Sequence, residues 1–281
     1  MPSTLISTND LALYLHDPNW VILDCRYVLA NPAQCEADYL TAHIPGAVYL
    51  HLDRDLAAPA VKGVTGRHPL PDVQQAARVF SRCGIAPGVQ VVTYDAAGGA
   101  LAAARAWWML RWLGHSTVAV LDGGWQKWQQ DDYPTSGGVE KNTPRHFQSK
   151  PIPEMVLTSQ EVAARIGQAG FRLLDSRGAE RFRGENETID PVAGHIPGAL
   201  SVPYADNLHP DGTMRSAKDL HQRFSTLLGT GPDAEAVFYC GSGVTACHNI
   251  LAFEYAGLGL ARLYAGSWSE WITNPDRPII R

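Results

Sequence analysis

The chain has 281 residues, 45% of them hydrophobic, a formal net charge of −5 and a pI near 6.0. That length accommodates one large domain or two of about 140 residues, and the acidic balance argues against nucleic-acid binding. The five cysteines, Cys25, Cys35, Cys83, Cys240 and Cys247, are odd in number and lack CxxC spacing, which argues against a disulfide scaffold or a thiolate metal site. The opening "MPSTLISTNDLALYLHD" has no basic, apolar leader, and no apolar run approaches the roughly 18 residues that span a bilayer. A cytoplasmic protein without a membrane partner is expected.

In chain order, the first half presents the apolar strands "VILDC" (Val21–Cys25) and "QVVTYD" (Gln90–Asp95). The helical run "LAAARAWWMLRWLG" (Leu101–Gly114) and the strand "VAVLDG" (Val118–Gly123) follow. Thr135–Glu154 is polar, contains Gly and Pro, and has no apolar period, so it reads as a join. Beyond it, Thr158 followed by Glu161 forms a capping box for a helix over Ser159–Gly167. "FRLLDS" (Phe171–Ser176) is a strand, "SAKDLHQRFSTLL" (Ser216–Leu228) is apolar at helical spacing, and "AVFYC" (Ala236–Cys240) is a buried strand. A helix from Ala246 stops at Gly257, then "ARLYAG" (Ala261–Gly266) is a strand and "SWSEWI" (Ser267–Ile272) a short helix.

This series is written twice. "LDCR" (Leu23–Arg26) returns as "LDSR" (Leu174–Arg177), "HIPGAV" (His43–Val48) as "HIPGAL" (His195–Leu200), and "VLDGGWQKW" (Val120–Trp128) as "LYAGSWSEW" (Leu263–Trp271). Strand–helix alternation within each copy predicts two tandem α/β domains, each a mainly parallel sheet covered by helices on both faces. The expected boundaries are residues 1–135 for a non-catalytic domain, 136–154 for the linker and 155–281 for a catalytic domain.

The chemistry points to "CGSGVT" (Cys240–Thr245). A cysteine ending a buried parallel strand lies at the sheet's carboxyl edge, where open α/β sheets bind ligands. Gly241 and Gly243 let backbone N–H groups turn inward as an anion nest, and the following helix aims its N-terminus at the same point. A thiol there is expected to be a reactive thiolate. The alternative is a small buried apolar residue, which suits Cys247, inside the helix, better. In the first copy Asp95 takes the position of Cys240. A carboxylate cannot be a sulfur nucleophile, so only the second half is expected to be catalytic.

With these motifs in both halves, the whole chain resembles the two-domain rhodanese-like sulfurtransferases. Its neutral loop is similar to the form C-G-[S/T]-G-V-T of the 3-mercaptopyruvate sulfurtransferases. The resemblance implies transfer of a sulfane sulfur from 3-mercaptopyruvate through a Cys240 persulfide, with release of pyruvate. It implies no metal or organic cofactor, a cyanide or thiol acceptor such as thioredoxin or a small dithiol, and persulfide stabilisation by the amides from Gly241 through Val244 and Thr245 to Ala246. Arg181 corresponds to the arginine that binds the donor carboxylate. A second family arginine has no counterpart in "ENETIDPVA" (Glu185–Ala193), with Arg183 as the nearest substitute. Ser242 and His43 correspond to members of a Ser-His-Asp proton relay, with Glu36 and Asp38 near in sequence but neither matching the acid. Because His195 repeats His43, bracing of the Ile-Pro-Gly turn is an equal alternative for that histidine. The tryptophans of both halves are expected in packing. A thiosulfate:cyanide sulfurtransferase and a non-enzymatic persulfide carrier remain as alternatives. A cysteine phosphatase is disfavoured, because Ala246 stands where its phosphate-clamping arginine is required.

Overall fold

In the computed structural model, residues 4–229, 235–259 and 261–281 are described. The chain divides into two compact units, neither of them an unbroken stretch. The first comprises Met1–Ala58, Pro71–Ile152 and Leu208–Met214; the second comprises Pro59–Leu70, Pro153–Asn207 and Arg215–Arg281. The site described below therefore draws on a segment, Pro59–Leu70, that lies in the first half of the sequence.

Each unit holds a five-stranded parallel sheet. In the first, β1 (Leu5–Ile6), β2 (Trp20–Asp24), β3 (Val48–Tyr49), β4 (Gln90–Tyr94) and β5 (Val118–Leu121) take the order β1-β5-β4-β2-β3. In the second, β6 (Val156–Leu157), β7 (Phe171–Asp175), β8 (Leu200–Ser201), β9 (Glu235–Tyr239) and β10 (Arg262–Tyr264) take the order β6-β10-β9-β7-β8. The register is equivalent too. Asp24 pairs with Tyr94 and Asp175 with Tyr239, so Asp95 and Cys240 follow the same strand position.

Parallel strands connected by helices are covered on both faces, which is why β4 is buried at every residue and β9 at all but its first. The second unit's core joins Leu173, Val237 and Tyr239 of the sheet to Val162, Trp268 and Trp271 of flanking helices. The first unit repeats this with Val92, Tyr94, Trp125 and Trp128. Each fully buried aromatic contributes roughly 1.5–3 kcal/mol, so the repeated tryptophans are packing residues.

The expected local signals appear. Thr158 and Glu161 form a reciprocal capping box for the helix Ser159–Arg165, and Ser216 caps Ala217–Leu228. The helix Thr245–Tyr255 is buried continuously from Ala246 to Phe253. It therefore runs through the core with its N-terminus directly after the cysteine loop. Among the described residues, no helix is long and apolar enough to cross a membrane, and no cluster of His, Cys, Asp or Glu suits a metal ion.

Candidate active site

Cys240 follows β9 and is 2% exposed. Its backbone is held from both sides by the repeated Trp motif. Cys240 N–H donates to Ser267 Oγ at 3.1 Å, Trp268 N–H donates to Cys240 O, and Ser269 N–H donates to Gly241 O. Among the described residues Ser267 is one of two non-glycine residues at positive φ, +56°, and its hydroxyl also donates to Tyr264 O. A strained residue that persists in this way is fixed by its surroundings, and here it fixes the strand end carrying the thiol.

The loop then turns through Gly243, at φ +75°. A Cβ there would also lie 2.3 Å from Ala265 O, so both sterics and backbone angle require glycine. This turn points Gly243 N–H at Cys240 Sγ, 3.2 Å away. Burial raises the thiol pKa, but the Thr245 hydroxyl and the amides of Ser242, Ala246 and Val244 outweigh it and leave the pKa below the ordinary value. For Cys83 and Cys25 burial wins: it pushes Cys83 up to about 12 and Cys25 well above the ordinary range. Cys247 donates its S–H to Gly243 O at 3.3 Å and braces the loop.

In the first unit the equivalent nest is already filled. Asp95 accepts from the amides of Ala97 and Gly99 through one oxygen and from Leu101 and Ala103 through the other, at 2.8–3.1 Å. Burial raises this carboxyl while those four amides pull it down. The net direction is upward, and the carboxyl group takes up the amides of its own loop.

Ser242 is buried, with Oγ 2.8 Å from Nδ1 of His68, itself 6% exposed. The histidine paired with Ser242 is therefore His68, in place of His43. His43 lies in the first unit, with Nδ1 2.7 Å from Tyr39 O and its ring stacked on Tyr39. His195 repeats the arrangement, with Nδ1 2.8 Å from Phe182 O and its ring stacked on Phe182. Both make an isolated antiparallel bridge, His43 to Ser136 and His195 to Ile280. This is the structural alternative foreseen for His43. Nor do the acids near His43 in sequence reach it: Glu36 pairs with Arg54 and Asp38 accepts from Gln34, and the carboxylate facing its Nε2, at 3.9 Å, is that of Glu140.

Arg181 does reach the loop. A Cβ at Gly241 would lie 3.6 and 3.7 Å from Arg181 Nη2 and Nη1, and 2.7 Å from Nη2 of Arg67. A side chain at 241 would push the Arg67 guanidinium aside. Arg181 Nε donates to Glu187 and Nη2 to Asp190 at 3.0 Å; Arg67 Nη1 also donates to Asp190. Both acids are buried, with side chains 2–3% exposed. Burial raises Glu187's pKa, but Arg181 and the amides of Asp190 and Ile189 bring it below the ordinary value. For Asp190 burial outweighs the two arginines and its pKa is raised. Arg183, by contrast, is half exposed and engaged in a bidentate pair with Glu185, 2.7 and 2.8 Å. It is a solvated ion pair outside this cluster. Arg67, His68, Glu187 and Asp190 also gather here and are candidate site residues that motif reading misses; Ser267 and Ser269, whose hydroxyl accepts from Arg67 N–H at 3.0 Å, lie within the repeated Trp motif, but the repeat does not single them out.

A thiol with a lowered pKa in an amide nest, next to a Ser–His pair and two arginines, is an arrangement suited to nucleophilic attack on an anionic donor. The Rhodanese-like domain family matches residues 7–131 and 158–274, and the chain belongs to it. Over 98% of this chain and 97% of the relative, it is 49% identical to a "Probable 3-mercaptopyruvate sulfurtransferase" of Pseudomonas aeruginosa. It is also 39% identical to a "Putative thiosulfate sulfurtransferase SseB" of Mycobacterium tuberculosis, over 92% of this chain and 90% of that one. Among solved structures, the 3-mercaptopyruvate sulfurtransferase from Leishmania major superposes with a TM-score of 0.85 at 31% identity, covering 98% of this chain and 75% of that one.

Proposed function

We propose that the protein is a sulfurtransferase taking sulfur from 3-mercaptopyruvate, acting through the second unit alone. The observation that carries this reading is the Cys240 thiol, its pKa held below the ordinary value by the Thr245 hydroxyl and loop amides, with Ser242 and His68 alongside. The sequence similarity to the Pseudomonas relative supports the choice of donor.

Cys240 thiolate attacks the donor sulfur, forming an S–S bond and breaking the C–S bond. The electron pair passes to the departing carbon as the enolate of pyruvate. Ser242, paired with His68, supplies a proton to that enolate by general acid catalysis, a contribution of typically 10²–10⁴-fold. The product is Cys240 persulfide and pyruvate. Loop amides that stabilise the thiolate also suit the persulfide's outer negative charge. A thiol such as thioredoxin or a small dithiol, or cyanide in the assay, then attacks the outer sulfur and regenerates the thiolate. Arg181 binds the donor carboxylate. The non-catalytic role of the first unit follows from Asp95, which occupies its own nest. The proposed tandem division is residues 1–135 and 155–281 around the 136–154 join, with the Pro59–Leu70 segment adding His68 to the catalytic unit.

The test compares kcat/KM for sulfur transfer to cyanide from 3-mercaptopyruvate and from thiosulfate. A preference of about tenfold or more for mercaptopyruvate is expected, since each factor of ten corresponds to about 1.4 kcal/mol in the transition state. A preference for thiosulfate supports the reaction named for the mycobacterial relative instead. Persulfide loading without turnover supports a carrier.

A further inference from the structure

Resting on the proposed reaction, we propose that Arg67 is the second arm of a carboxylate clamp with Arg181, and that Asp190 sets the clamp's charge to favour singly charged donors. Arg67 stands on the Pro59–Leu70 segment of the second unit. Its Nη2, and both terminal nitrogens of Arg181, lie within 2.7–3.7 Å of where a Cβ would stand on Gly241, the residue directly after the nucleophile, and Nη1 of Arg181 is the one of that pair not bonded to Asp190. Among the described residues neither Nη2 of Arg67 nor Nη1 of Arg181 has a hydrogen-bond acceptor, while the other terminal nitrogen of each guanidinium, Nη1 of Arg67 and Nη2 of Arg181, donates to the carboxylate of Asp190. Glu187 fixes Arg181 further through Nε. Two donors from two guanidinium groups anchored on one carboxylate match the two oxygens of a donor's carboxylate. Because Asp190 holds both arms before the donor arrives, little side-chain freedom is lost on binding. Arg67 retains 26% side-chain exposure, so a donor from solvent can reach it.

Charge sets the preference. Arg67, Arg177 and Arg181 are interleaved with Asp175, Glu187 and Asp190 in one run of ion pairs. Three positive groups meet three negative ones, so the clamp offers N–H donors without a surplus of positive charge. A monocarboxylate is bound by those donors. A dianion such as thiosulfate brings a second charge that nothing in this cluster offsets, beside the Cys240 thiolate.

The test uses the full chain with cyanide as acceptor and three donors: 3-mercaptopyruvate, mercaptoacetone (the same thiol and ketone without the carboxylate) and thiosulfate. Arg67→Met raises KM for 3-mercaptopyruvate by roughly 10- to 100-fold with kcat within about threefold, the range expected for a lost charge-assisted hydrogen bond. Its kcat/KM for mercaptoacetone falls by no more than about threefold. Arg67→Lys, which keeps the charge but not the fork, gives an intermediate KM and serves as the reading if Arg67→Met does not fold. Asp190→Asn raises the thiosulfate-to-mercaptopyruvate ratio of kcat/KM by about tenfold. An equal loss with both keto donors assigns Arg67 a structural role and overturns the clamp, as does an unchanged KM in both Arg67 variants. An unchanged ratio in Asp190→Asn overturns the charge argument. Failure of the reaction assignment is distinct and is seen in the unaltered protein, as absence of transfer from 3-mercaptopyruvate.

Discussion

Replacing Thr245 by valine removes one hydroxyl and keeps the side-chain shape, so it isolates a single contribution to the thiolate. The Thr245 hydroxyl is the largest influence lowering the Cys240 pKa, ahead of the amides of Ser242, Ala246 and Val244, and burial acts against all of them. A hydrogen bond to a charged group contributes about 1.5–3 kcal/mol, and one pKa unit corresponds to about 1.4 kcal/mol. Thr245 is only partly buried, which places the loss near the lower end, about one unit upward. The sign follows from which form is stabilised: without the hydroxyl the thiolate is less favoured, so a higher pH is needed to form it. The assay is the rate of iodoacetamide alkylation against pH, with the labelled cysteine located by mass spectrometry. The original chain should titrate below the ordinary thiol range and Thr245→Val about one unit higher, with Cys25 and Cys83 unlabelled because burial raises both. An unmoved midpoint in a folded Thr245→Val would refute the argument that the loop donors create the thiolate.

Three further outcomes follow from the same geometry. Ser242→Ala and His68→Asn should each lower kcat for 3-mercaptopyruvate by roughly 10²–10⁴-fold, while His43→Asn acts mainly on stability in urea unfolding; the reverse pattern would restore His43 to the relay. Asp95→Ala strands four amides, two buried and two partly buried, and a buried one costs about 1–3 kcal/mol when left unpaired, so a loss on the order of 4 kcal/mol should appear in the same unfolding measurement. A loss below about 1 kcal/mol would contradict the filled-nest account. Arg183→Ala should leave KM for 3-mercaptopyruvate within about twofold, since exposed ion pairs contribute little; a tenfold rise would return Arg183 to the site.

Much of this was legible because it is local. The strand, glycine turn and helix around Cys240 are consecutive in sequence, and the duplication supplied an aligned second copy. That comparison also separates structure from chemistry. His43 and His195 are repeated because each does the same job, bonding a carbonyl and stacking on an aromatic ring. Cys240 departs from Asp95, and that departure marks the nucleophile. His68 and Arg67 were not legible, because they approach the loop from a segment more than 170 residues earlier in a stretch without helical or strand periodicity. The sequence "GRHPLP" (Gly66–Leu70 and Pro71) carries a cation and an imidazole in a Pro-rich loop, a signal that gains meaning only once the fold brings it to Ser242 and Asp190. Asp190 and Glu187 were hidden for a related reason: in sequence they are two acids in a polar loop, and burial alone makes them anchors for arginine.

The most direct test of the central claim is intact-protein and peptide mass spectrometry after exposure to 3-mercaptopyruvate. The account predicts a gain of one sulfur atom on the peptide containing Cys240, its loss as thiocyanate on adding cyanide, and no gain in Cys240→Ser. Sulfur carried by another cysteine, or turnover retained in Cys240→Ser, would contradict it.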